Sequence, residues 1–211
     1  MTKISLAKGG RPDKEAAALL GQHIVDVADS LFVANGFAAT SMATIASCAR
    51  IGKQTLYRRY PDKAALFHEV ISRRINRMLL LVDDVRAGDP LAEVKMLGRA
   101  ALANVVDPEF VTLNRIVIAE SNHFPELASF AADCWASGFV GRCAELIRNA
   151  QCAGICKMGD PTAIARTFLW SLVGAPFYSA LIGGDALFAG EDELNDYFEM
   201  AWQLFVHGVV N

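Results

Sequence analysis

The sequence predicts an all-α protein with a three-helix N-terminal head and a larger helical C-terminal body. Apolar residues recur at helical spacing along most of the 211 residues, as Leu20, Ile24, Val27 and Leu31 do within residues 14–35. No alternation of apolar and polar residues lasts long enough to indicate a β-strand. Apolar residues make up 53% of the chain, which excludes a disordered protein.

The head is expected to contain helices at about residues 14–35, 42–48 and 53–60, followed by a long amphipathic helix at 63–85. Gly36 follows the first apolar stripe as a C-cap signal, and Thr40-Ser41 supplies an N-cap for the second helix. Pro61-Asp62 ends the third helix, and the Asp62 side chain can cap the fourth.

Gly88-Asp89-Pro90 is the clearest boundary in the chain. Beyond it, periodicity and the Gly and Pro positions predict helices at about 91–106, 109–121, 125–131, 133–153, 161–182 and 191–208. We therefore expect a head over residues 1–62, a connecting helix over 63–85 and a body over 86–211.

Charge is divided unevenly along the chain. Residues 1–80 contain twelve Lys and Arg against six Asp and Glu, whereas the remaining residues contain eight against seventeen. A basic head on an acidic body indicates a polyanionic partner at the N-terminal end only.

The location of the protein is predicted from what the sequence contains at its start and in its apolar runs. Residues 2–20 lack the apolar segment of a signal peptide. The uncharged run 167–184 contains Pro176 and three glycines, so we interpret it as a helix buried in protein. We expect a cytoplasmic protein without a membrane partner. The five cysteines are an odd number and do not predict a disulfide framework.

Two short helices after a longer one are the pattern of a helix-turn-helix. Ile45 and Leu56 can lock the pair against the first helix, which leaves the outer face of the second short helix in solvent. That face carries Lys53, Gln54, Thr55, Tyr57 and Arg58, and residues 50–60 contain no acid. Gln can pair with adenine, and Arg with guanine or phosphate, so the face suits a DNA groove.

Two segments of the head closely resemble the DNA-binding domain of the tetracycline-repressor (TetR) family. They are Phe37-Ala-Ala-Thr-Ser-Met-Ala-Thr-Ile-Ala and Lys53-Gln-Thr-Leu-Tyr-Arg-Arg-Tyr-Pro-Asp-Lys63. The resemblance implies a bacterial transcription regulator, usually a repressor, that binds double-stranded operator DNA as a homodimer and leaves when a small molecule binds its body. It also implies that Lys53, Gln54, Thr55, Tyr57 and Arg58 belong to the recognition helix, and that Thr40, Thr44, Tyr60 and Lys63 contact the DNA backbone.

Two positions depart from the family pattern. Arg50 stands where the turn normally has Gly, so a non-Gly residue is expected to adopt a left-handed or bridge conformation. Gly52 replaces the usual Ser or Thr N-cap of the recognition helix. Arg11, in a Gly-Gly-Arg-Pro arm, either enters a minor groove or belongs to a disordered tail, and Arg50 is a further candidate for a phosphate contact.

The body is similar to the regulatory domain of an AefR-like subgroup over Leu113-Asn-Arg-Ile-Val-Ile-Ala-Glu-Ser-Asn-His-Phe-Pro-Glu-Leu127. Few basic residues lie among helices 91–180, so an apolar effector is expected rather than a polyanion. The candidate lining, which is equally suited to solid core, is Met96, Phe110, Ile116, Phe124, Trp135, Phe139 and Trp170. The route to the head is expected to be the helix at 63–85, as the only long element joining the two parts.

Helices 161–182 and 191–208 are too apolar all round for one solvated face, and the family pairs such helices in a dimer. The expected outward stripes are Leu169, Leu172, Val173, Phe177, Leu181, Tyr197, Ala201, Leu204 and Phe205.

Enzymatic, metal and cofactor functions are not predicted. The chain has no nucleotide-binding Gly loop, paired metal-binding His or nucleophile motif. Cys152 and Cys156 lie one turn apart, but packing or a spare thiol is favoured over a metal or redox site, and Cys48 is expected to pack. The alternative function is a helical small-molecule-binding or enzymatic protein whose head no longer binds DNA.

Overall fold

The computed structural model describes residues 14–83, 88–183 and 188–210, and these residues are helical almost throughout. The helices are α1 (Lys14–Asn35), α2 (Met42–Cys48), α3 (Lys53–Arg59), α4 (Lys63–Asp83), α5 (Pro90–Val105), α6 (Pro108–Glu120), α7 (Pro125–Trp135), α8 (Gly141–Cys152), α9 (Pro161–Ile182) and α10 (Glu191–Val209). The strand-like feature among the described residues is an isolated bridge between Cys156 and Val210. The predicted all-α fold class is confirmed.

Three body helices begin with an aspartate at the N-cap followed by a proline. The pairs are Asp89-Pro90 in α5, Asp107-Pro108 in α6 and Asp160-Pro161 in α9. Each carboxylate accepts a hydrogen bond from a backbone N–H of the first turn. Proline fits the next position because that N–H has no partner inside the helix. These pairs explain why the helix starts were predictable to within about one residue.

Three aromatic rings form the centre of the head. Phe32 of α1, Phe37 of the following turn and Phe67 of α4 lie with ring centroids 5.2–5.7 Å apart, mostly edge to face. Ile45 and Leu56 are both fully buried beside them. Because Phe67 belongs to α4, the first turns of the connecting helix complete the core of the head.

The body packs around α5, α8 and α9. The expectation that Leu169, Leu172 and Val173 face outward is wrong, because each is at most 1% exposed in the core. The exposed apolar residues of α9 are instead Trp170, Tyr178 and Ile182 (50–66% exposed). A helix that is apolar all round gives no sequence signal of which side faces the core.

The segment between α7 and α8 is continuous and contains a turn of π-helix at Ala136–Val140. The predicted break near residue 132 is therefore absent. A Cβ added at Gly138 would lie 3.0 Å from Ile75 of α4, so the glycine permits close approach of this segment to the connecting helix. π-Helical turns are rare and frequently lie at functional sites.

The head contacts the body through α6 and the residues that follow it, as well as through α4. The Phe124 ring, after α6, packs edge to face on Phe37 with centroids 5.2 Å apart. Arg74 of α4 bonds through its guanidinium to Asp29 of α1 and to Glu109 of α6. The expectation that the connecting helix alone joins head and body is thus wrong.

Among the described residues, α1 is long and apolar enough to be considered as a membrane span. Its apolar side, however, forms the core of the head, where Ile24, Ala28 and Phe32 are fully buried. The core helix of a globular domain passes the same length and composition test, and the position of α1 favours this interpretation.

Candidate nucleic-acid interface and body cavity

Helices α2 and α3 form the predicted helix-turn-helix. Ser41 caps α2 by accepting a hydrogen bond from the Thr44 N–H at 3.0 Å. Gly52 occupies the N-cap of α3 without a side-chain bond, as expected from the sequence. Arg50 has φ +54° and is the one non-Gly residue with positive φ among the described residues. The predicted left-handed turn is therefore present, at a position where an L side chain is strained.

The outer face of α3 presents a neutral and basic surface. Lys53, Gln54, Tyr57 and Arg58 are exposed, Thr55 is half-buried, and Leu56 is fully buried against the head. Backbone hydrogen bonds close both ends of this short helix, since Thr55 and Leu56 donate their N–H groups to the Gly52 carbonyl and Tyr60 donates its N–H to the Leu56 carbonyl. A helix with one anchored face and one free cationic face can enter a major groove.

Arg59, at the end of α3, turns away from this face. Its guanidinium donates to the Ala17 carbonyl of α1 and lies against Gly21, where an added Cβ would be 2.7 Å from Nη1. The sequence places two arginines side by side, and the structure separates them into Arg58 in solvent and Arg59 on α1. Of these two arginines, only Arg58 is therefore a candidate for a base contact.

Thr40 does not belong to an exposed surface. Its side chain is 1% exposed, and its hydroxyl lies 2.8 Å from the Gly36 carbonyl and 3.2 Å from the Leu31 carbonyl. The expectation that its side chain contacts DNA is corrected, since the hydroxyl proton is used to tie the end of α1 to the next turn. Thr44 is exposed, and its hydroxyl lies 2.8 Å from the Ser41 hydroxyl.

Lys63 and Tyr60 lie at the edge of the interface and are half-buried. The Lys63 ammonium donates to the Phe37 carbonyl at 2.5 Å and lies 4.2 Å from the centroid of the Phe37 ring. Burial lowers the pKa of Lys63 and raises the pKa of Tyr60. Lys63 therefore stabilises the turn at Phe37 between α1 and α2, which makes it a weaker candidate for phosphate contact than Lys53. Arg11 lies outside the described residues.

A cavity of about 260 Å³ lies in the body between α4, α5, α6, α7, the π-helical turn and α9. Phe110, Trp135, Phe139 and Trp170 line it, as the sequence suggested. The residues that sequence reasoning missed are Ile71, Ile75, Asn104, Val105, Asn114, Val117, Ala131, Ala132, Val173 and Phe177. Most of these are small, β-branched or amide residues, which carry no pocket signal of their own. Val173 and Phe177 were expected in the outward stripe of α9, and their place in the cavity wall corrects that expectation.

Three predicted lining residues do not line this cavity. Phe124 packs on Phe37 at the contact between head and body. Met96 and Ile116 are half-buried and pack against the core. The aromatic and methionine composition alone could not separate lining from core, because both environments are apolar.

The described residues contain no group of three or more His, Cys, Asp or Glu that could hold a metal ion. Cys152 is exposed and Cys156 buried, and all five cysteines are free. Burial raises the pKa of Cys143 to about 12, so its thiol is protonated at neutral pH. Cys48 is exposed, which corrects the expectation that it packs in the head.

Family profiles match both parts of the chain. Residues 24–70 match "Bacterial regulatory proteins, tetR family", and residues 92–207 match "AefR-like transcriptional repressor, C-terminal domain". The HTH-type transcriptional regulator AcrR of Shigella flexneri is 31% identical over 102 residues. That match covers 47% of this chain and 47% of AcrR, so the chain spans about half the length of this curated relative.

Solved structures share the fold over most of the chain. A protein described as a TetR-family transcriptional regulator from Mesorhizobium loti superposes with a TM-score of 0.80 at 23% identity, covering 92% of this chain and 98% of that one. The Flavonoid-responsive Regulator FrrA superposes with a TM-score of 0.72 at 24% identity, with the same coverage. The relatives are transcriptional regulators, which are not enzymes. The chain therefore belongs to the TetR family of bacterial transcriptional regulators, with a C-terminal domain of the AefR-like repressor type.

Proposed function

We propose that the protein is a ligand-responsive DNA-binding repressor that binds a near-palindromic operator as a homodimer. A small apolar effector in the body releases it. The observation that carries the proposal is the exposed, acid-free face of α3 in the helix-turn-helix. The expected division of the chain is a head over residues 1–62, a connecting helix over 63–85 and a body over 86–211. The cytoplasm, where DNA is accessible, is the expected location.

The exposure of each side chain supports a division of roles on the DNA. Gln54 and Arg58 are fully on the outer face of α3 and suit base edges, adenine and guanine respectively. Lys53 and Tyr57 suit phosphates at the start and side of the helix, and Thr44 suits a phosphate reached from α2. Thr55, Tyr60 and Lys63 are half-buried and have a smaller part in contacting DNA.

The outer surface of α9 and α10 supports a dimer. A shallow, mostly apolar groove runs between them, lined among others by Ala163, Phe168, Met200, Leu204 and Phe205. Leu204 is 72% exposed and Met200 59% exposed. In a monomer this surface would remain in water, whereas α9 and α10 of a second copy would cover it.

The dimer is tested by substituting Leu204 with Arg, because the charge would enter the apolar contact unpaired. The matched control is Leu19→Arg, at a leucine of α1 that is 59% exposed on the head. Multi-angle light scattering should show a dimer for the unmodified chain and for Leu19→Arg, and a monomer for Leu204→Arg. A monomeric unmodified chain at micromolar concentration would contradict the proposal.

Release by an effector requires a structural link between the cavity and the head. The cavity is lined by Ile71 and Ile75 of α4 and by Phe110 of α6, and both helices contact the head. A ligand with different affinities for two arrangements of these helices would shift the separation of the two recognition helices. These must sit about one DNA turn apart, or a multiple of it, to bind.

The function is tested by selecting binding sites from a random double-stranded DNA library and measuring affinity by fluorescence anisotropy at several salt concentrations. We expect enrichment of a near-palindrome and an affinity that falls with salt, since phosphate contacts release counterions. Absence of an enriched sequence would contradict the proposal and favour a helical ligand-binding protein whose head has lost DNA binding.

A further inference from the structure

Two hydrogen-bond donors in the wall of the body cavity have no acceptor among the residues that the structure describes. Asn104 Nδ2 of α5 and Trp135 Nε1 of α7 are buried and make no hydrogen bond. Asn104 is 6% exposed, and both residues line the cavity. An indole nitrogen can only donate, so at least the Trp135 N–H lacks an acceptor whichever way the Asn104 amide is oriented. Buried polar groups in native proteins are normally paired, so the pair requires an explanation.

The remaining lining defines what can occupy the space. None of the fourteen described residues that line the cavity is ionisable. Asn114 is a second amide among them, and one of its two amide N–H groups donates to the Phe110 carbonyl at 2.9 Å. A charged ligand would be buried here without a counter-charge, which is costly.

Aromatic rings form much of the wall. Trp135 lies 5.1 Å from Phe139 and 5.9 Å from Trp170 between ring centroids, and Phe110 lies 6.2 Å from Phe177. Tilted rings at these distances favour a planar aromatic guest with which they can stack or meet edge to face. The volume of about 260 Å³ lies at the small end of ligand sites, which suits one or two fused rings.

From this combination, and resting on the proposed function, we infer that the effector is an uncharged aromatic molecule carrying an acceptor oxygen, such as an aryl ketone. Its oxygen accepts a hydrogen bond from Trp135 Nε1, with Asn104 Nδ2 as a secondary donor to the same oxygen. In the unliganded protein both nitrogens are covered by neighbouring atoms, so the ligand reaches them only as the side chains turn. The acceptor contact thus exists only in the liganded arrangement and gives the differential affinity that release requires.

Three naphthalene probes of similar size test the inference. 2-Acetylnaphthalene has a neutral acceptor, 2-isopropylnaphthalene has none, and 2-naphthoate is charged. We expect calorimetry to show the ketone binding about three- to tenfold tighter than the hydrocarbon, the value of one net hydrogen bond. We expect the carboxylate to bind weakest. The indole N–H proton of Trp135 should move downfield in the NMR spectrum with the ketone only.

Variants locate the effect. Trp135→Phe should remove the preference for the ketone while retaining binding of the hydrocarbon. The matched control Trp170→Phe, at the half-exposed lining tryptophan, should change both affinities alike and keep the preference. Asn104→Leu should reduce the preference for the ketone over the hydrocarbon, while the ketone still shifts the indole N–H signal of Trp135. Thermal unfolding of each variant shows whether it is folded.

Equal binding of ketone and hydrocarbon, a preference that survives Trp135→Phe, tightest binding of the carboxylate, or no binding by any probe would each overturn the inference. Operator binding by the same unliganded preparation separates this failure from failure of the function. Specific operator binding without a ketone preference would leave the regulator intact. A ketone preference without operator binding would leave only the ligand site.

Discussion

The head and the body differ in how their interiors are filled. In the head, Phe32, Phe37 and Phe67 contact one another directly, and Ile45 and Leu56 are fully buried beside them. In the body, Phe110, Trp135 and Trp170 surround an open space. A tightly packed interior holds a single arrangement, whereas a hollow one can exist with and without a guest. The difference places the fixed DNA-reading surface at one end of the chain and the adjustable element at the other.

The largest expected effect comes from emptying the packed core. Phe32→Ala should lower the free energy of unfolding by about 3–5 kcal/mol, because a cavity forms where the ring contacts neighbours on all sides. Phe177→Ala, at the wall of the existing cavity, should cost clearly less, since one side of that ring already faces space. Urea unfolding of both variants measures the difference. Equal losses would show that the body is packed as tightly as the head.

A second comparison sets the recognition face against the rest of the surface. Arg58→Ala should weaken binding to the selected operator by about 1–3 kcal/mol and relax its sequence preference, because a bidentate base contact is lost. Arg148→Ala, at an exposed arginine of α8, should leave both unchanged. Anisotropy with the operator and with a scrambled duplex checks this. A loss for Arg58→Ala that is equal on both duplexes would assign Arg58 to the phosphates.

Smaller effects are expected in the turn that sets the angle of α3. Arg50→Gly should stabilise the head by up to about 1 kcal/mol. The left-handed backbone costs an L residue about 1–2 kcal/mol, and relief of this strain is partly offset because glycine loses more conformational entropy on folding. Gly36→Ala, at φ +82°, should have the opposite sign. Urea midpoints at constant slope measure both. If Arg50→Gly is more stable but binds DNA less tightly, Arg50 contacts phosphate.

The smallest expected effect is a pH dependence from His68, which stacks on Phe130 at 4.0 Å between α4 and α7. Burial lowers the pKa of His68, against the opposing fields of Asp62 and Glu126. As the pH falls, His68 is therefore protonated in the unfolded chain near its ordinary pKa of about 6.5, whereas in the folded chain it is protonated only at lower pH. Stability from the neutral imidazole is present above about pH 6.5 and is lost as the pH falls below it.

His68→Gln should accordingly lose less stability than the unmodified chain between pH 7.5 and pH 5. The exposed His123, replaced in the same way, is the control and should leave the slope unchanged. Thermal unfolding across this range measures the two slopes. A slope unaffected by His68→Gln would mean that other groups determine the acid sensitivity.

Local signals in the sequence predict the helix ends and the helix-turn-helix well. Asp-Pro pairs, the Ser41 cap and the Arg50 turn act over a few residues, and each appears where the sequence indicates it. Features that depend on distant contacts were not predictable. The Thr40 hydroxyl donates to backbone carbonyls of the preceding residues. Which side of α9 is buried depends on its packing against α5 and α8. The π-helical turn after Trp135 likewise has no residue pattern that would distinguish it from α-helix in the sequence.

The cavity shows the same division. Its aromatic residues stand out in the sequence, whereas Asn104 and Val117 join them only because α5 and α6 meet beside α9. Phe124 has the composition of a lining residue and is instead drawn to Phe37 of the head.

The linkage between the cavity of the body and the DNA-reading head gives the most direct test of the proposed function. A compound shown by NMR to bind at Trp135 is added in increasing amounts while the affinity for the selected operator is measured by anisotropy. We expect that operator affinity falls to a plateau, and that saturating operator DNA weakens binding of the compound by the same factor. A compound that fills the cavity and leaves operator affinity unchanged would contradict release of the DNA by an effector in the body.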